Sequence, residues 1–375
     1  MGLRKLKPIY FVLIVFGLIE GAQLFIGARK ASADFPYYNT RWPVEHLNNE
    51  RHQVINEGGL FLPRGRNVKR SISLISSKAL ETPGFVLTRD KDQLYVIGGK
   101  FSTIAHGWIA KVNPLTLRVQ KKVIFDKGGG PTFAGGCLMH ANGYLYVIVG
   151  DVIYKLDPNL NILKWRVLIV NDGYNGVLAF RDGNLVMKGG GAMNQQSPSI
   201  LTVLDTDLEP LIEHVVLPET NPSRIAVHVR NNREYVYITG LSKITRYEYI
   251  SGPEPQLVLD TGWFYQYRNP TSDLTSYATS PTFVGNNLFT MDNGALMTEP
   301  IEKTPIHIIR VNLDNSNDAE RFAPFKLPAG ASFSRMIVDP QNRLLFPMDT
   351  VNRKIGAFRY LEREKRFEEL WVRSY

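Results

Sequence analysis

The sequence predicts an all-β protein, a six-bladed β-propeller made of four-stranded antiparallel blades. Two observations lead to this prediction. A segment of about 50 residues recurs six times across residues 85–375, a period typical of propeller blades. Each copy also carries two strand-like landmarks and residues that favour tight turns between strands. A seven-bladed ring, with residues 34–84 as a degenerate extra blade, is the alternative.

The first landmark is a short run rich in aromatic and β-branched residues, which favour strands. Its six copies begin at Leu94, Leu145, Leu185, Tyr235, Leu288 and Leu344. The second landmark opens with isoleucine in every copy, at Ile109, Ile153, Ile200, Ile244, Ile308 and Ile355. Twelve matches at regular intervals indicate a true repeat, with two adjacent strands in each unit.

Tight-turn residues stand just before the first landmark in several copies. Asn142-Gly143 and Asp182-Gly183 are examples, and such turns require positive φ angles. Apolar runs before these turns and after the second landmark supply a first and a fourth strand. One sheet of four strands cannot bury both faces alone, so the blades stack around an axis. A solenoid is the competing fold, but its strands are usually parallel, whereas tight hairpins are antiparallel.

The repeat and its flanks divide the chain into three parts. Residues 1–33 form a leader, residues 34–84 an N-terminal strap with a ring-closing strand at 68–76, and residues 85–375 the propeller. The leader joins a basic start to an apolar run and then Ala31-Ser32-Ala33, which resembles a cleaved signal peptide. Residues 9–28 are also long enough to cross a bilayer as an uncleaved anchor, the only membrane contact expected. Both alternatives place the propeller outside the cytoplasm. It would be periplasmic or secreted after cleavage, or anchored to the membrane by residues 9–28 if the leader is not cleaved.

The charge and the reactive residues exclude several functions. The net charge is +9, but five basic residues against Glu20 fall in the leader, so the body is only mildly basic. No basic block with interleaved aromatics follows, which argues against a nucleic-acid partner. The one cysteine, Cys137, lies in an apolar strand context and is expected to be buried. The histidines lack zinc-ligand spacing, and no Gly-x-Ser-x-Gly nucleophile motif occurs.

The predicted binding site lies on the face formed by two kinds of loop. Loops between second and third strands, and loops between blades, share one face around the axial channel, which is the default site in a propeller. The longest blade-linking loop is expected at residues 260–280, where exposed aromatic residues can stack on sugars or pack on a protein. The predicted ligand-binding residues are Asn175, Arg224, Trp263, Tyr265, Tyr267, Asp273 and Arg335.

One blade resembles a known superfamily. The sequence Asn175-Gly176-Val177, followed by residues 182–186, resembles a blade of the gluconolactonase, strictosidine synthase and paraoxonase superfamily. In the hydrolases of that superfamily, Asn and Asp side chains from several blades hold an axial calcium-type cation. The resemblance therefore implies Asn175 as a ligand. Asp172, Asp292 and Asn293 are further candidates because they carry oxygen atoms of the kind that calcium binds, and a role in forming turns is the equal alternative for all four residues. The comparable positions of other blades carry Ser223, Ser280 and Ser332, which depart from the pattern.

Three functional hypotheses follow. The first is a propeller that binds a small molecule or a protein partner through its loop face without catalysis. The second is a metal-dependent hydrolase or lactonase, in which the axial cation polarises a carbonyl group. The third is a quinone-cofactor dehydrogenase, which is disfavoured because the chain has no repeated tryptophan motif and no vicinal cysteine pair.

Overall fold

The computed structural model describes residues 36–53, 79–90, 92–99, 106–126, 133–170, 172–191, 198–268, 278–292, 306–325 and 336–375. These residues form six four-stranded antiparallel sheets, and in each sheet the strands pair in the order of the sequence. They include no helix long and apolar enough to span a membrane.

Blades 1 to 3 occupy the first half of the propeller. Blade 1 consists of β1 (Pro83–Thr88), β2 (Leu94–Gly98), β3 (Gly107–Val112) and β4 (Val119–Phe125). Blade 2 consists of β5 (Ala134–Met139), β6 (Leu145–Val149), β7 (Val152–Leu156) and β8 (Ile162–Val167). Blade 3 consists of β9 (Tyr174–Ala179), β10 (Leu185–Gly189), β11 (Ile200–Leu204) and β12 (Pro210–Val216).

Blades 4 to 6 complete the propeller. Blade 4 consists of β13 (Ala226–Arg230), β14 (Arg233–Thr239), β15 (Lys243–Ile250) and β16 (Gln256–Gln266). Blade 5 consists of β17 (Thr282–Val284), β18 (Asn287–Asp292), β19 (His307–Asn312) and β20 (Ala319–Phe322). Blade 6 consists of β21 (Met336–Asp339), β22 (Leu344–Asp349), β23 (Lys354–Leu361) and β24 (Arg366–Ser374).

The six-bladed prediction is confirmed. Every first landmark lies in the second strand of a blade, and every second landmark lies in the third strand. The turn residues also behave as expected, since Gly143 and Gly183 have φ angles of +86° and +92°. The described part of residues 34–84 contributes isolated bridges and the first two residues of β1, but no blade of its own. The ring-closing strand expected at residues 68–76 lies outside the described residues.

The core lies between neighbouring blades: apolar clusters join blade 1 to blade 2, blades 2 to 4 to one another, blade 4 to blade 5, and blade 5 to blade 6. One apolar cluster joins β6 of blade 2, β9 and β10 of blade 3, and β14 of blade 4. Cys137 in β5 is fully buried, and burial raises the pKa of its thiol well above the usual range. A buried, protonated thiol is structural, as its apolar context indicated.

The N-terminal strap, residues 36–53, runs along the first strands of the blades. Bridges pair Tyr37 with His140 and Val44 with Leu138. The strap also hydrogen-bonds to the first strands of five blades, at Thr88, Cys137, Ala179, Val227 and Thr282. First strands surround the central channel of a propeller. The strap therefore lies inside the channel.

Candidate functional site

The strap enters the channel from one end. Each first strand begins at the loop face and ends at the opposite face, which we call the turn face. Pro36 accepts a hydrogen bond from Ala141 N, just past the turn-face end of β5. Glu45 N donates to Cys137 O, 3.2 Å away in the middle of the same strand. The strap thus occupies the turn-face part of the channel, with Glu45 closer to the loop face.

Three charged side chains meet where the strap reaches deepest. Glu45 accepts hydrogen bonds from Arg51 Nη1 at 3.0 Å and from Arg224 Nη1 at 2.9 Å, one at each carboxylate oxygen. Glu45 and Arg51 come from the strap, whereas Arg224 directly precedes blade 4. We call Glu45, Arg51 and Arg224 the axial cluster. Glu45 and Arg51 are only 1% and 2% exposed, so the cluster is held in the interior.

Arg224 extends across the channel. Its Nη1 donates to Gly135 O in blade 2, and its Cζ lies 4.7 Å from the centre of the Phe85 ring in blade 1. One side chain therefore connects blade 4 with two blades on the far side of the axis. The cation–π contact with Phe85 and the bond to Glu45 fix the position of its guanidinium.

The electrostatics of the axial cluster are unbalanced. Burial lowers the pKa of Arg51, Glu45 opposes that shift, and the neighbouring Arg224 lowers the pKa further. Arginine nevertheless stays protonated in proteins, so two guanidiniums share one carboxylate. Lys188 lies in the same region, and burial followed by repulsion from Arg224 lowers its pKa well below the usual range.

Two buried polar atoms, one on the strap and one on β9, have no hydrogen-bond partner. They are Arg51 Nη2, a donor, and Asn175 Oδ1, an acceptor. The Asn175 amide nitrogen is engaged, since Nδ2 donates to Pro222 O at 2.9 Å. The next residue, Gly176, has a φ of +97°, and a methyl group added to it would lie 3.2 Å from Arg51 Nη2. This glycine thus lets β9 pass close to the axial cluster.

The wall of the channel has two different parts. The strap hydrogen-bonds to the first strands of blades 1 to 5. Of these, β5, β9 and β17 are buried at every residue, whereas β13 is buried at its start and has Val229 41% exposed. We call the first strands of blades 2 to 5 the covered wall. In blades 6 and 1 the first strands β21 and β1 are more accessible, with Gly84 exposed and Ile337 42% exposed. We call β21 and β1 the open wall.

The structure corrects the position expected for the aromatic residues. Trp263 and Tyr265 belong to β16, and Tyr267 follows directly, so none lies far out in a loop. Trp263 and Tyr267 are 2% and 3% exposed, and the indole Nε1 donates to Asn312 O. They pack between blades 4 and 5 because β16 continues for 11 residues. Of the other predicted ligand-binding residues, Arg224 and Asn175 lie at the channel, while Asp273 and Arg335 lie outside the described residues.

The residues proposed as metal ligands do not fit a calcium-type cation in the described part of the chain. Asp172 accepts a hydrogen bond from Gly191 N at 2.9 Å, and Asp292 is paired with Arg268 and Arg321. Asn293 lies outside the described residues. No group of three or more His, Cys, Asp or Glu residues among those described could hold a metal ion. Calcium takes six to eight oxygen ligands, and Asn175 Oδ1 is the one oxygen of this set that lacks a partner.

Sequence reasoning missed Glu45 and Arg51. Both residues lie outside the repeat, so the periodic pattern that predicts the blades does not predict their positions. The available signal was composition, because residues 45–52 are almost entirely polar yet contain few of the glycines and serines common in a solvated linker. A polar segment of this kind is compatible with a buried hydrogen-bonded insert.

Solved structures share the fold of this chain. The periplasmic gluconolactonase PpgL of Pseudomonas aeruginosa is 12% identical, with a TM-score of 0.52 over 80% of this chain and 88% of that one. A protein from Lactobacillus plantarum is also 12% identical, with a TM-score of 0.51 over 80% and 88% of the two chains. The dihydro-haem d1 dehydrogenase NirN is 10% identical, with a TM-score of 0.52 over 79% and 58%.

These similarities support the propeller fold. At sequence identities this low, they do not support a particular activity or ligand. The gluconolactonase-like resemblance of the blade around Asn175 is therefore confirmed at the level of architecture. No protein-family model matches the chain, and no curated protein matches its sequence.

Proposed function

We propose that this protein is an extracytoplasmic β-propeller that binds a small molecule at the loop-face end of its axial channel. The observation that carries the proposal is the strap, which fills the turn-face part of the channel and brings Glu45 and Arg51 to Arg224. With the turn-face part of the channel filled by the strap, a ligand would bind at the loop-face end, and small-molecule sites are usually concave.

A small molecule fits this site better than a protein partner. The charged groups lie deep in the channel, where Arg224 retains 14% side-chain exposure and Asn175 is 8% exposed. A protein surface makes most of its contacts on a flat face, and its hot spots are usually large exposed side chains. Trp263 and Tyr267, two of the aromatic residues predicted to bind a partner, are buried between blades.

A screen of small metabolites by thermal shift tests the proposal. Ligands that raise the melting temperature of the wild-type protein should lose that effect in Arg224→Gln. Arg373→Gln is the matched control, because Arg373 is exposed on the outer strand β24. Ligands that stabilise wild type and both variants equally, or the absence of any ligand in a broad screen, would contradict binding at the channel.

Lactone hydrolysis is the second candidate. It is favoured by the unpaired Asn175 Oδ1, at the position that the superfamily resemblance gives to a cation ligand. If this candidate is right, the purified protein should carry a divalent metal that disappears in Asn175→Ala. Elemental analysis measures the metal content of the wild-type protein and of Asn175→Ala. If the wild-type protein contains no metal and shows no lactonase activity after calcium is added, lactone hydrolysis is ruled out.

The location outside the cytoplasm is part of the proposal. It is supported by the leader at residues 1–33 and by the periplasmic gluconolactonase that shares the fold. Cell fractionation with N-terminal sequencing tests it. Protein beginning near Asp34 in the soluble extracytoplasmic fraction indicates cleavage, whereas intact protein in the membrane fraction indicates an anchor at residues 9–28. Protein found in the cytoplasm would contradict both.

A further inference from the structure

The outer strand of blade 2 exposes only apolar side chains. In β8 these are Ile162, Leu163, Trp165 and Val167, and Ile169 follows at 56% exposure. Each of the other five fourth strands, all of them within the described residues, also exposes at least one polar or charged side chain. Proteins usually protect such an edge with charges or cover it. The apolar edge of β8 therefore indicates a contact surface.

The register of blade 2 shows which way these side chains point. Trp165 pairs with Tyr154 of β7, and the centre of the Tyr154 ring lies 4.2 Å from that of Phe125 in blade 1. Side chains alternate between the two faces of a strand, so Leu163 and Val167 lie on the same side as Trp165. We call Leu163, Trp165 and Val167 the rim row, because they follow the outer rim of the propeller on the side of blade 1.

Basic residues flank the rim row. The outer strands β4 and β8 contain four basic residues and no acidic one, namely Lys121, Lys122, Lys164 and Arg166. Glu209 of blade 3 pairs with both of the last two, on the opposite side of β8. Lys121 and Lys122 are exposed, and their ammonium groups contact Asn161 and the ring of Trp108. Lysines beside exposed apolar side chains are typical of surfaces that bind anionic lipid.

The N-terminal chain reaches the propeller at the same blade. Pro36 accepts a hydrogen bond from Ala141 N at the turn-face end of β5. If residues 9–28 stay in the membrane as an anchor, only residues 29–35 separate the bilayer from blade 2. A chain of that length reaches at most about 30 Å. Neighbouring strands are about 5 Å apart, so β8 lies about 14 Å from β5, well within that reach.

The turn face of blades 2 and 3 is less suited to a membrane than their rim. The loops between third and fourth strands lie on that face, and they carry Asp157, Asp205, Asp207 and Glu209. Anionic lipid headgroups repel carboxylates and attract lysines. Of the two surfaces, the rim offers both apolar contact and the lysines of β4.

We propose that the chain keeps residues 9–28 as an anchor and that the rim row of blade 2 rests on the membrane, with Trp165 at the lipid headgroups. Tryptophan is enriched at that depth, and long basic side chains can extend from β4 to lipid phosphates. The contact adds to the one made by the anchor and determines which side of the propeller faces the bilayer. Because the rim, and not the loop face, contacts lipid, the entrance of the channel stays open to water. The proposal is independent of the ligand bound there.

Quenching of tryptophan fluorescence by brominated lipid tests the contact. The full-length protein is reconstituted into vesicles of phosphatidylcholine and phosphatidylglycerol whose acyl chains carry bromine, which quenches nearby indole rings. We expect a quenched component that is lost in Trp165→Phe and kept in Trp371→Phe. Trp371 is the matched control, because it is 38% exposed on β24 of blade 6 whereas Trp165 is 45% exposed. Equal quenching of the wild-type protein and Trp165→Phe would overturn the proposal.

A pair of double variants measures the apolar contribution of the rim row. Leu163→Gln with Val167→Gln should lower the docked population at least about tenfold, because two half-exposed apolar side chains no longer enter lipid. Val258→Gln with Leu259→Gln, at positions 44% and 36% exposed on β16, should leave it unchanged. The quenching of Trp165 measures the docked population, and circular dichroism establishes that both variants are folded. Unchanged quenching in the folded rim-row variant contradicts the proposal.

Two further results would exclude lipid as the partner. If the wild-type protein sediments as a dimer in detergent, and Leu163→Gln with Val167→Gln makes it a monomer, a second copy covers the rim row. If the protein in cells begins near Asp34 and occurs in the soluble fraction alone, no anchor holds blade 2 at the bilayer. Either result overturns membrane docking. Neither affects the proposed channel site, which is tested separately through Arg224→Gln.

Discussion

The covered wall and the open wall of the channel come from the same repeat, yet their first strands differ in exposure. In the covered wall β5 and β9 are wholly buried, whereas β1 and β21 of the open wall contain exposed residues. The blades themselves have the same four-stranded plan on both sides. The strap, a segment outside the repeat, hydrogen-bonds to the first strands of blades 1 to 5, so it lies against β1 of the open wall as well. The candidate site is therefore formed where the strap, which is not part of the repeat, meets the repeated blades.

The largest effect is expected from Glu45, which joins the strap to Arg224. Glu45→Gln leaves two buried guanidiniums without a charged partner, so we expect a loss of about 3–5 kcal/mol in the free energy of unfolding. Glu369→Gln, at an exposed position on β24, should change it by less than about 0.5 kcal/mol. Urea denaturation measures both. A loss below about 1 kcal/mol for Glu45→Gln would contradict a stabilising role for the axial cluster.

A matched pair of Gly→Ala substitutions compares the two walls directly. A methyl group added at Gly135 in the covered wall would lie 2.1 Å from Tyr174 O, so the backbones of β5 and β9 must separate. At Gly84 in the open wall the nearest atom is Ala134 Cβ at 3.2 Å. We expect Gly135→Ala to cost about 2–3 kcal/mol and Gly84→Ala less than about 1 kcal/mol. Equal unfolding free energies would refute the distinction between the walls.

The strap is also held to the covered wall by a pH-dependent contact. Glu50 accepts hydrogen bonds from His228 Nδ1 at 2.6 Å and lies 3.0 Å from His52 Nε2. Burial alone would raise the pKa of Glu50, but the bonds from His228 and His52 outweigh it and lower the pKa to about 2. The unfolded chain thus binds a proton at a higher pH than the folded one. The stabilisation is complete above about pH 4.5 and is lost as the pH falls towards 2.

Unfolding at pH 5 and pH 3 measures that contribution. The wild-type protein should lose about 2 kcal/mol more than Glu50→Gln over this interval, because the glutamine does not titrate. The comparison between the two proteins removes the effect of the other carboxyl groups. A loss of equal size in both would mean that Glu50 does not hold the strap.

The fold could be predicted from the sequence because its determinants are local. Turn residues such as Asp182-Gly183 and the recurring isoleucines specify strands and hairpins within a few positions of themselves. The course of the strap depends instead on distant contacts. His52, for example, meets Phe283 O, and these residues are separated by 231 positions in the chain. No local pattern encodes such a contact.

The candidate site was predictable in part for the same reason. Asn175 and Arg224 were identified because they stand at fixed places in the repeat, where the first strand of a blade begins. Trp263 was misplaced because a long interval between landmarks resembles a loop. In the structure β16 continues through that interval, and a register shift between Thr245 and Tyr247 on its neighbour β15 accommodates the extra length.

The position of the strap inside the channel is the central claim, and disulfide trapping tests it most directly. Val44 and Leu138 face each other across an antiparallel bridge, so Val44→Cys with Leu138→Cys should oxidise to an internal disulfide when Cys137 is replaced by alanine. Val44→Cys with Ile337→Cys, on the open wall, is the control and should stay reduced. Peptide mapping after mild oxidation shows whether a disulfide has formed in each double variant. A cross-link in the first pair alone is the predicted result, and its absence, or equal trapping of both pairs, would contradict a strap lodged against the covered wall.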